Sequence, residues 1–141
     1  MIRYYWLGLF LVLFLPAMAQ AAEARVFTLS GHELRLEIAD DEVERQRGLM
    51  NRSQLAAKAG MLFLYEKTDR HLMWMKNTLI PLDMIFLDDT MRVVYIHAQA
   101  KPHDLTPIGQ NAPPSKAIIE LPGGSAADLA IQIGDQLAEV K

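Results

Sequence analysis

The sequence predicts a mainly β (α+β) fold, a small antiparallel barrel or sandwich of about eight short strands with two or three short helices. The first observation behind this prediction is that Leu34, Leu36 and Ile38 alternate with charged residues, which is typical of a half-buried strand. The second is that short polar turns such as Asp88-Asp89-Thr90 separate apolar runs, which favours antiparallel hairpins. The third is the length of 141 residues, which indicates one small domain.

The predicted strands are apolar runs of about five to eight residues bounded by turn signals. In chain order they are 25–29, 34–38, 60–65, 71–75, 82–87, 91–98, 116–121 and 136–140. Ser30-Gly31 supplies a hairpin turn between the first two, and residues 66–70 are predicted as a polar turn between the next two.

Three short helical segments are predicted between the strands. Asp41 with Glu44 forms a capping box, and Gly48 ends this helix in a left-handed conformation. A second helical turn is predicted from residue 51 or 52 to 57. Ser125 with Asp128 indicates a capped helix that ends at residue 131.

Residues 101–115 form a long segment with four prolines and no predicted secondary structure. Loops of this length are uncommon in compact domains and often serve function. The segment is either a proline-stiffened crossover between distant strands or a wall or lid over a site.

Residues 1–21 have the features of a secretory signal peptide. Arg3 supplies the positive charge, residues 4–15 are an unbroken apolar or aromatic run, and small residues follow with the spacing for cleavage near Ala19 or Ala21. The run is shorter than the ~20 residues of a membrane-spanning helix, so a retained anchor is the less favoured alternative. We therefore expect a periplasmic or secreted domain of residues 22–141 that meets the membrane only during export.

Charge and composition exclude several classes of function. The formal net charge is −3 and no basic run is present, which argues against nucleic acid as a partner. The absence of cysteine excludes disulfides, thiolate metal sites and cysteine nucleophiles. His32, His71, His97 and His103 lack the spacing that aims two imidazoles at one ion, so we predict no metal and no cofactor.

Asp83 interrupts the otherwise apolar run 82–87, so its carboxylate is predicted to be buried and to need a cation or several donors. Arg45, Arg52 and Lys76 are the candidate cations. A structural ion pair is one interpretation, and a carboxylate with a perturbed pKa that acts as acid or base is the other. Glu120 could form a carboxylate pair with Asp83, but strand alternation favours a position toward solvent.

Two stretches and several shorter motifs carry a family resemblance. They are Glu44-Arg45-x-x-Gly48-Leu49-Met50-x-Arg52, Gly60-Met61-Leu62-Phe63, Trp74-Met75-Lys76-Asn77-Thr78-x-Ile80-Pro81-Leu82-Asp83-x-x-Phe86, Pro107-Ile108, the strand 117–121, Gly124 and Gly134-Asp135. In these residues the chain resembles the bacterial and archaeal family called domain of unknown function 192. The resemblance implies a small β-rich domain, often exported, and no assigned reaction. Gly109 stands where many relatives have serine.

The predicted site combines an aromatic ring, cations, an amide and a carboxylate, a mixture that suits a sugar, a carboxylate or a peptide end. Its residues are Glu44, Arg45, Arg52, Trp74, Lys76, Asn77, Thr78 and Asp83. We expect non-catalytic binding of such a small ligand or of an envelope component. The alternatives are a hydrolase with Asp83 as acid or base, assisted by Lys76, Asn77 and Thr78, and an interaction domain whose long loop contacts a protein.

Overall fold

A computed structural model describes residues 23–141, which form seven strands and two short helices. The strands are β1 (Ala24–Leu29), β2 (His32–Ala39), β3 (Ala59–Asp69), β4 (Leu82–Leu87), β5 (Val93–Ala100), β6 (Ser115–Pro122) and β7 (Ala138–Glu139). Helix α1 (Glu42–Arg47) follows β2, and helix α2 (Ser125–Asp128) follows β6. A mainly β fold with two short helices is thereby confirmed. The predicted signal peptide lies outside the described residues, and no helix within 23–141 is long and apolar enough to cross a membrane.

The strands form one mixed sheet in the order β5-β4-β6-β3-β2-β1-β7. β2 and β3 pair in parallel, and the remaining neighbours are antiparallel. The purely antiparallel prediction is wrong at this pair, because residues 40–58 form a crossover with α1 that returns the chain to the same end of the sheet. The sheet is not closed into a barrel. Backbone bonds do join its two edges locally, from Val93 N to the Asp135 carbonyl and from Leu137 N to the Met91 carbonyl, both 2.9 Å long.

Several predicted elements differ in the structure. Residues 71–75 are outside the sheet and make only an isolated bridge between Met73 and Ile108. The predicted turn 66–70 is instead largely strand, because β3 continues to Asp69 beside Ser115 of β6. Residues 51–57 are turns and irregular chain rather than helix. At α2, Gly124 occupies the N-cap position with φ 96°, so the prediction that Ser125 caps this helix is wrong.

The central strands are buried on both faces of the sheet. One face carries Ile85 and Ile119 in a core that α2 and the 129–137 segment cover. The other face carries Met84, Phe86 and Ile118 in a second core, which the 71–75 segment and the proline-rich loop cover. Because neighbouring residues of a strand point to opposite faces, this double burial explains the continuous apolar runs of β4 and β6.

Candidate functional site

A cleft of about 300 Å³ opens on the second face of the sheet. Helix α1 and the turn after it form one wall, the 72–78 segment forms another, and β3 and β6 form the floor. The walls combine apolar residues such as Leu49, Phe63 and Met73 with charged ones such as Arg45 and Arg47. A cleft that offers both apolar surface and polar groups can hold a small molecule.

Glu120 of β6 lies at the floor of the cleft. Its backbone pairs with Met61 of β3 and Met84 of β4, so its side chain shares the face of the second core. The residue is 4% exposed, so the prediction that Glu120 faces solvent is wrong. Its side chain does lie on the face opposite Ile119, but the 71–75 segment packs over much of that face and leaves only the cleft beside Glu120.

The Glu120 carboxyl group lines the cleft and receives no hydrogen bond from residues 23–141. Burial raises its pKa to about 8, against a smaller opposing effect of the positive charge of Arg52. At neutral pH the group is therefore mostly protonated, and it is available to any molecule that enters the cleft.

Thr78 and Trp74 extend the polar and aromatic lining of the cleft. Thr78 is buried, and its hydroxyl donates to the Lys76 carbonyl over 3.1 Å, which leaves the oxygen lone pairs as acceptors. Trp74 is 49% exposed, and the Lys76 ammonium lies 5.0 Å from the centre of its ring. The aromatic ring is thus held at the rim by a cation–π contact.

Helix α1 places Arg45 against the cleft wall. The Asp41 carboxylate accepts from Glu44 N at 2.7 Å, which is one side of the predicted capping box. The Glu44 carboxylate accepts from Asp40 N at 3.2 Å, one residue before the cap. The Arg45 guanidinium donates to the carbonyls of Asp40 and Leu64, each over 2.7 Å. Arg45 therefore ties α1 to β3.

Tyr65 completes this wall of the cleft. Its ring lies 5.3 Å from the Arg45 guanidinium and stacks on His71 with 3.5 Å between the ring centres. Its hydroxyl donates to the Met73 sulfur over 3.6 Å. Burial raises the pKa of Tyr65 to about 12, although the charge of Arg45 acts in the opposite direction. The phenol therefore stays protonated at neutral pH.

Arg52 lies beside the cleft region but is engaged by another carboxylate. It forms two parallel bonds to Glu37 of β2, of 2.5 and 2.8 Å. This hydrogen bonding raises the pKa of Arg52 in spite of partial burial. The guanidinium acts on Glu120 only through its charge.

Asp83 lies away from the cleft, on the face of the sheet that packs against α2. It is fully buried, and its carboxylate accepts hydrogen bonds from the backbone N–H groups of Gln99 at 2.8 Å, Gly124 at 3.0 Å and Ala126 at 2.7 Å. Of the two predicted ways to stabilise this carboxylate, the structure shows several donors rather than an ion pair. Asp83 thus takes the capping role at α2 that the sequence pattern assigned to Ser125.

The structure brings together some of the predicted site residues and separates others. Arg45, Trp74 and Thr78 line the cleft. Glu44 accepts from Asp40 N, Lys76 lies over Trp74, and Arg52 pairs with Glu37. Asn77 adopts φ 51°, and its carbonyl accepts from Asn51 N at 2.8 Å. This bond joins the backbones of the two long motif stretches, 44–52 and 74–86.

Sequence reasoning missed Glu120 and Tyr65 as cleft residues. A charged residue inside the apolar run 117–121 was the available signal for Glu120. Tyr65 carried no comparable signal, because its position depends on the unpredicted course of the 71–75 segment. Within residues 23–141 no group of three His, Asp or Glu side chains is arranged to hold a metal ion.

Comparison with known proteins gives a family and a fold. The family model described as DUF192, Uncharacterized ACR, matches residues 25–138. A crystal structure of a protein of unknown function from Novosphingobium aromaticivorans DSM 12444 is 39% identical, with a TM-score of 0.81, and the match covers 86% of this chain and 89% of that one.

A second crystal structure, of a protein named as a proposed transcription regulator from Sinorhizobium meliloti 1021, is 36% identical. Its TM-score is 0.79, and the match covers 84% of this chain and 95% of that one. No functionally curated protein matches the chain. The family match and both structures span nearly all of the described residues, and the resemblance read from the motifs is thereby confirmed: the chain belongs to the uncharacterised DUF192 family.

Proposed function

We propose that this protein is a non-catalytic binding protein of the cell envelope that holds a small ligand, such as a sugar, a carboxylate or a peptide end, in the cleft above Glu120. The observation that carries the proposal is the Glu120 carboxyl group, which belongs to a buried residue, lines the cleft and receives no hydrogen bond from the described residues. A ligand in the cleft can therefore pair with this carboxyl group without first breaking a hydrogen bond of the fold.

The rest of the cleft supports binding. Phe63 and Met73 supply apolar contact area, Trp74 supplies an exposed aromatic ring, and the Thr78 oxygen is free to accept a hydrogen bond. Hydrogen bonds and packing hold these groups in place before any ligand arrives, which lowers the entropic cost of binding.

The geometry does not favour the alternative of a hydrolase that uses Asp83. Its carboxylate is enclosed by three backbone N–H donors on the opposite face of the sheet, away from Thr78 and the cleft. The Lys76 ammonium lies over the Trp74 ring, and the Asn77 carbonyl accepts from the Asn51 N–H. Both contacts stabilise the fold, and no reaction is needed to explain them.

The charge does not favour a direct role in DNA binding either, although one relative is named as a proposed transcription regulator. The formal net charge of this chain is −3, and phosphate contacts need a clustered basic face. A small-molecule partner is the better match to the cleft.

The proposal is tested by thermal unfolding of the protein in the presence of sugars, amino acids and short peptides. A ligand at 100 times its Kd adds about 2.7 kcal/mol of stability, which raises Tm by several degrees. We expect Trp74→Ala to abolish the shift. Ile133→Ala is the matched control, because Ile133 is a 62% exposed apolar residue outside the cleft lining. Equal shifts in both variants, or no shift with any compound, would contradict the proposal.

The envelope location is tested separately. We expect the protein isolated from the periplasm or the medium to begin at Gln20 or Ala22, as cleavage after Ala19 or Ala21 requires. Amino-terminal sequencing reads the start directly. Recovery of a cytoplasmic protein that begins at Met1 would contradict the location and leave the cleft argument intact.

A further inference from the structure

We infer that the ligand carries a primary ammonium group that forms an ion pair with Glu120 at the floor of the cleft, with an apolar stem against the cleft walls. This inference rests on the proposed binding function and names the chemical class of the ligand. It follows from the hydrogen-bonding capacity of the floor, from the arrangement of nearby cations and from the apolar character of the walls.

The lining of the cleft offers hydrogen-bond acceptors on one wall, at Thr78, and on the floor, at Glu120. The Thr78 hydroxyl uses its hydrogen for the Lys76 carbonyl, so only its oxygen lone pairs remain for a ligand. The Glu120 carboxylate, once ionised, is also an acceptor only. A ligand group with several hydrogens is the complement of two such acceptors, and an ammonium group donates three.

The side chains around Glu120 provide no cation in direct contact with it. Arg45 on α1 is engaged by two carbonyls and by Glu42 at 3.4 Å, and Arg52 is engaged by Glu37. Lys76 lies over the ring of Trp74. Arg47 of α1 also lines the cleft, but no cation of the described residues forms a salt bridge with Glu120. An ammonium group of a ligand would be its first direct counterion.

The lower walls of the cleft explain the apolar stem. Leu49 follows α1, Phe63 lies on β3 and Met73 lies on the 71–75 segment, and all three are buried core residues that line the cleft. These side chains share the lining of the cleft with Glu120. Methylene groups of a ligand gain free energy on burial against such surfaces, whereas hydroxyl groups without partners would lose it there.

Binding of this kind releases a proton. The charged and titratable residues that line the cleft with Glu120 are Glu42, Arg45 and Arg47 on α1 and Tyr65 on β3. Arg52, outside this lining, lowers the pKa of Glu120 by its charge, but the effect of burial is larger. Burial holds the pKa of Glu120 at about 8, so the free protein at pH 7 carries this proton. The ion pair forms when Glu120 gives the proton to the solvent and the ligand keeps its own.

The test uses n-butylammonium chloride with the uncharged 1-butanol as the matched probe. Methyl-labelled methionine spectra follow Met50 and Met73, which line the cleft, with Met91 as a distant reference. We expect butylammonium to shift the Met50 and Met73 signals. Its association constant should rise nearly tenfold per pH unit between pH 6 and pH 7.5 and level off above pH 8. We expect 1-butanol to bind at least tenfold more weakly at pH 8 and without this dependence.

Two further measurements sharpen the result. Calorimetry in buffers of different ionisation enthalpy should show close to one proton released per butylammonium at pH 7, and this needs no variant. Glu120→Gln should weaken butylammonium binding at least tenfold and remove its pH dependence, whereas Glu33→Gln on the exposed face of β2 should change neither.

The inference is overturned if 1-butanol binds as tightly as butylammonium, if no proton is released, or if Glu120→Gln keeps the affinity. In each of these cases a sugar or peptide that raises Tm in the Trp74-dependent manner would still support the proposed function. If no compound of any class binds the cleft, both the inference and the proposed function fail.

Discussion

Asp83 and Glu120 are two buried carboxyl groups on neighbouring strands, and they have opposite surroundings. Asp83 of β4 pairs with Leu121, and Glu120 of β6 pairs with Met84, so the two acids are one position apart along the strands and on opposite faces of the sheet. Three backbone N–H groups surround Asp83. Glu120 receives no hydrogen bond from the described part of the chain.

This difference distinguishes an acid that stabilises the fold from an acid that is a candidate for ligand binding. Burial is nearly the same for both side chains, so burial alone does not distinguish them. What differs is whether the fold itself provides the hydrogen-bond donors. Backbone donors make Asp83 part of the architecture, whereas Glu120 has its hydrogen-bonding capacity left for a molecule from outside.

The largest expected effect is on Asp83. We expect Asp83→Ala to lower the free energy of unfolding by about 5 kcal/mol, because it removes three charge-assisted bonds and leaves three backbone N–H groups without an acceptor. Urea unfolding at pH 7 measures the loss. Asp128→Asn, at an exposed position of α2, should stay within about 0.5 kcal/mol of the wild type. If Asp83→Ala lowered the free energy of unfolding by less than 1 kcal/mol, Asp83 would not have the stabilising role that distinguishes it from Glu120.

The second effect has the opposite sign. Because the folded-state pKa of Glu120 is about 8 and the unfolded value is 4.5, ionisation opposes folding increasingly as the pH rises between these values. We expect Glu120→Gln to stabilise the protein by about 4 kcal/mol at pH 8 and to have little effect near pH 4.

Unfolding curves at several pH values measure this difference. Glu33→Gln, an exposed carboxylate on the same sheet, should show almost no pH-dependent gain. If Glu120→Gln destabilised the protein at pH 8, the fold would have to stabilise the charged form of Glu120, contrary to the raised pKa.

A smaller effect is expected from Arg52, whose charge lowers the pKa of Glu120. We expect Arg52→Ala to raise this pKa further and to cost about 1 kcal/mol of stability, since the pair with Glu37 is partly exposed. Carbon-13 titration of the glutamate carboxyl groups reports the pKa. Glu37→Gln is the matched variant, because it breaks the same pair but keeps the positive charge, and it should not raise the pKa of Glu120.

The smallest effect on stability is expected at the rim of the cleft. Trp74→Ala should change the free energy of unfolding by no more than about 0.5 kcal/mol, because half of the side chain is already in water. Chemical denaturation measures the change. A loss of more than 2 kcal/mol would show that Trp74 belongs to the core, and loss of ligand binding in this variant would then need a second rim variant to interpret.

The sequence predicted most of the strands because each is a local pattern of apolar residues between turns. The hairpin of β1 and β2, with its turn at Ser30-Gly31, and the strand β4 formed close to where the patterns placed them. The parallel pairing of β2 with β3 could not be predicted in this way, because it depends on the path of a crossover rather than on local spacing.

The candidate site was harder to predict than the fold. Asp83 was correctly expected to be buried and to need partners, but its donors come from backbone groups distant in the chain, at Gln99, Gly124 and Ala126. Glu120 was assigned to solvent because alternation gives the face of a side chain and not what covers that face. The 71–75 segment, predicted as a strand, is that cover.

The position of β6 has a consequence for how the molecule can fold. β6 is sixth along the chain but lies third in the sheet, between β4 and β3. Until it inserts, both of those strands present an unpaired edge to other chains, which is the arrangement that promotes aggregation. Glu120 arrives on the same strand. A chain that stops before residue 115 therefore lacks both the middle of its sheet and part of the floor of its cleft. The cleft is complete only after β6 has joined the sheet.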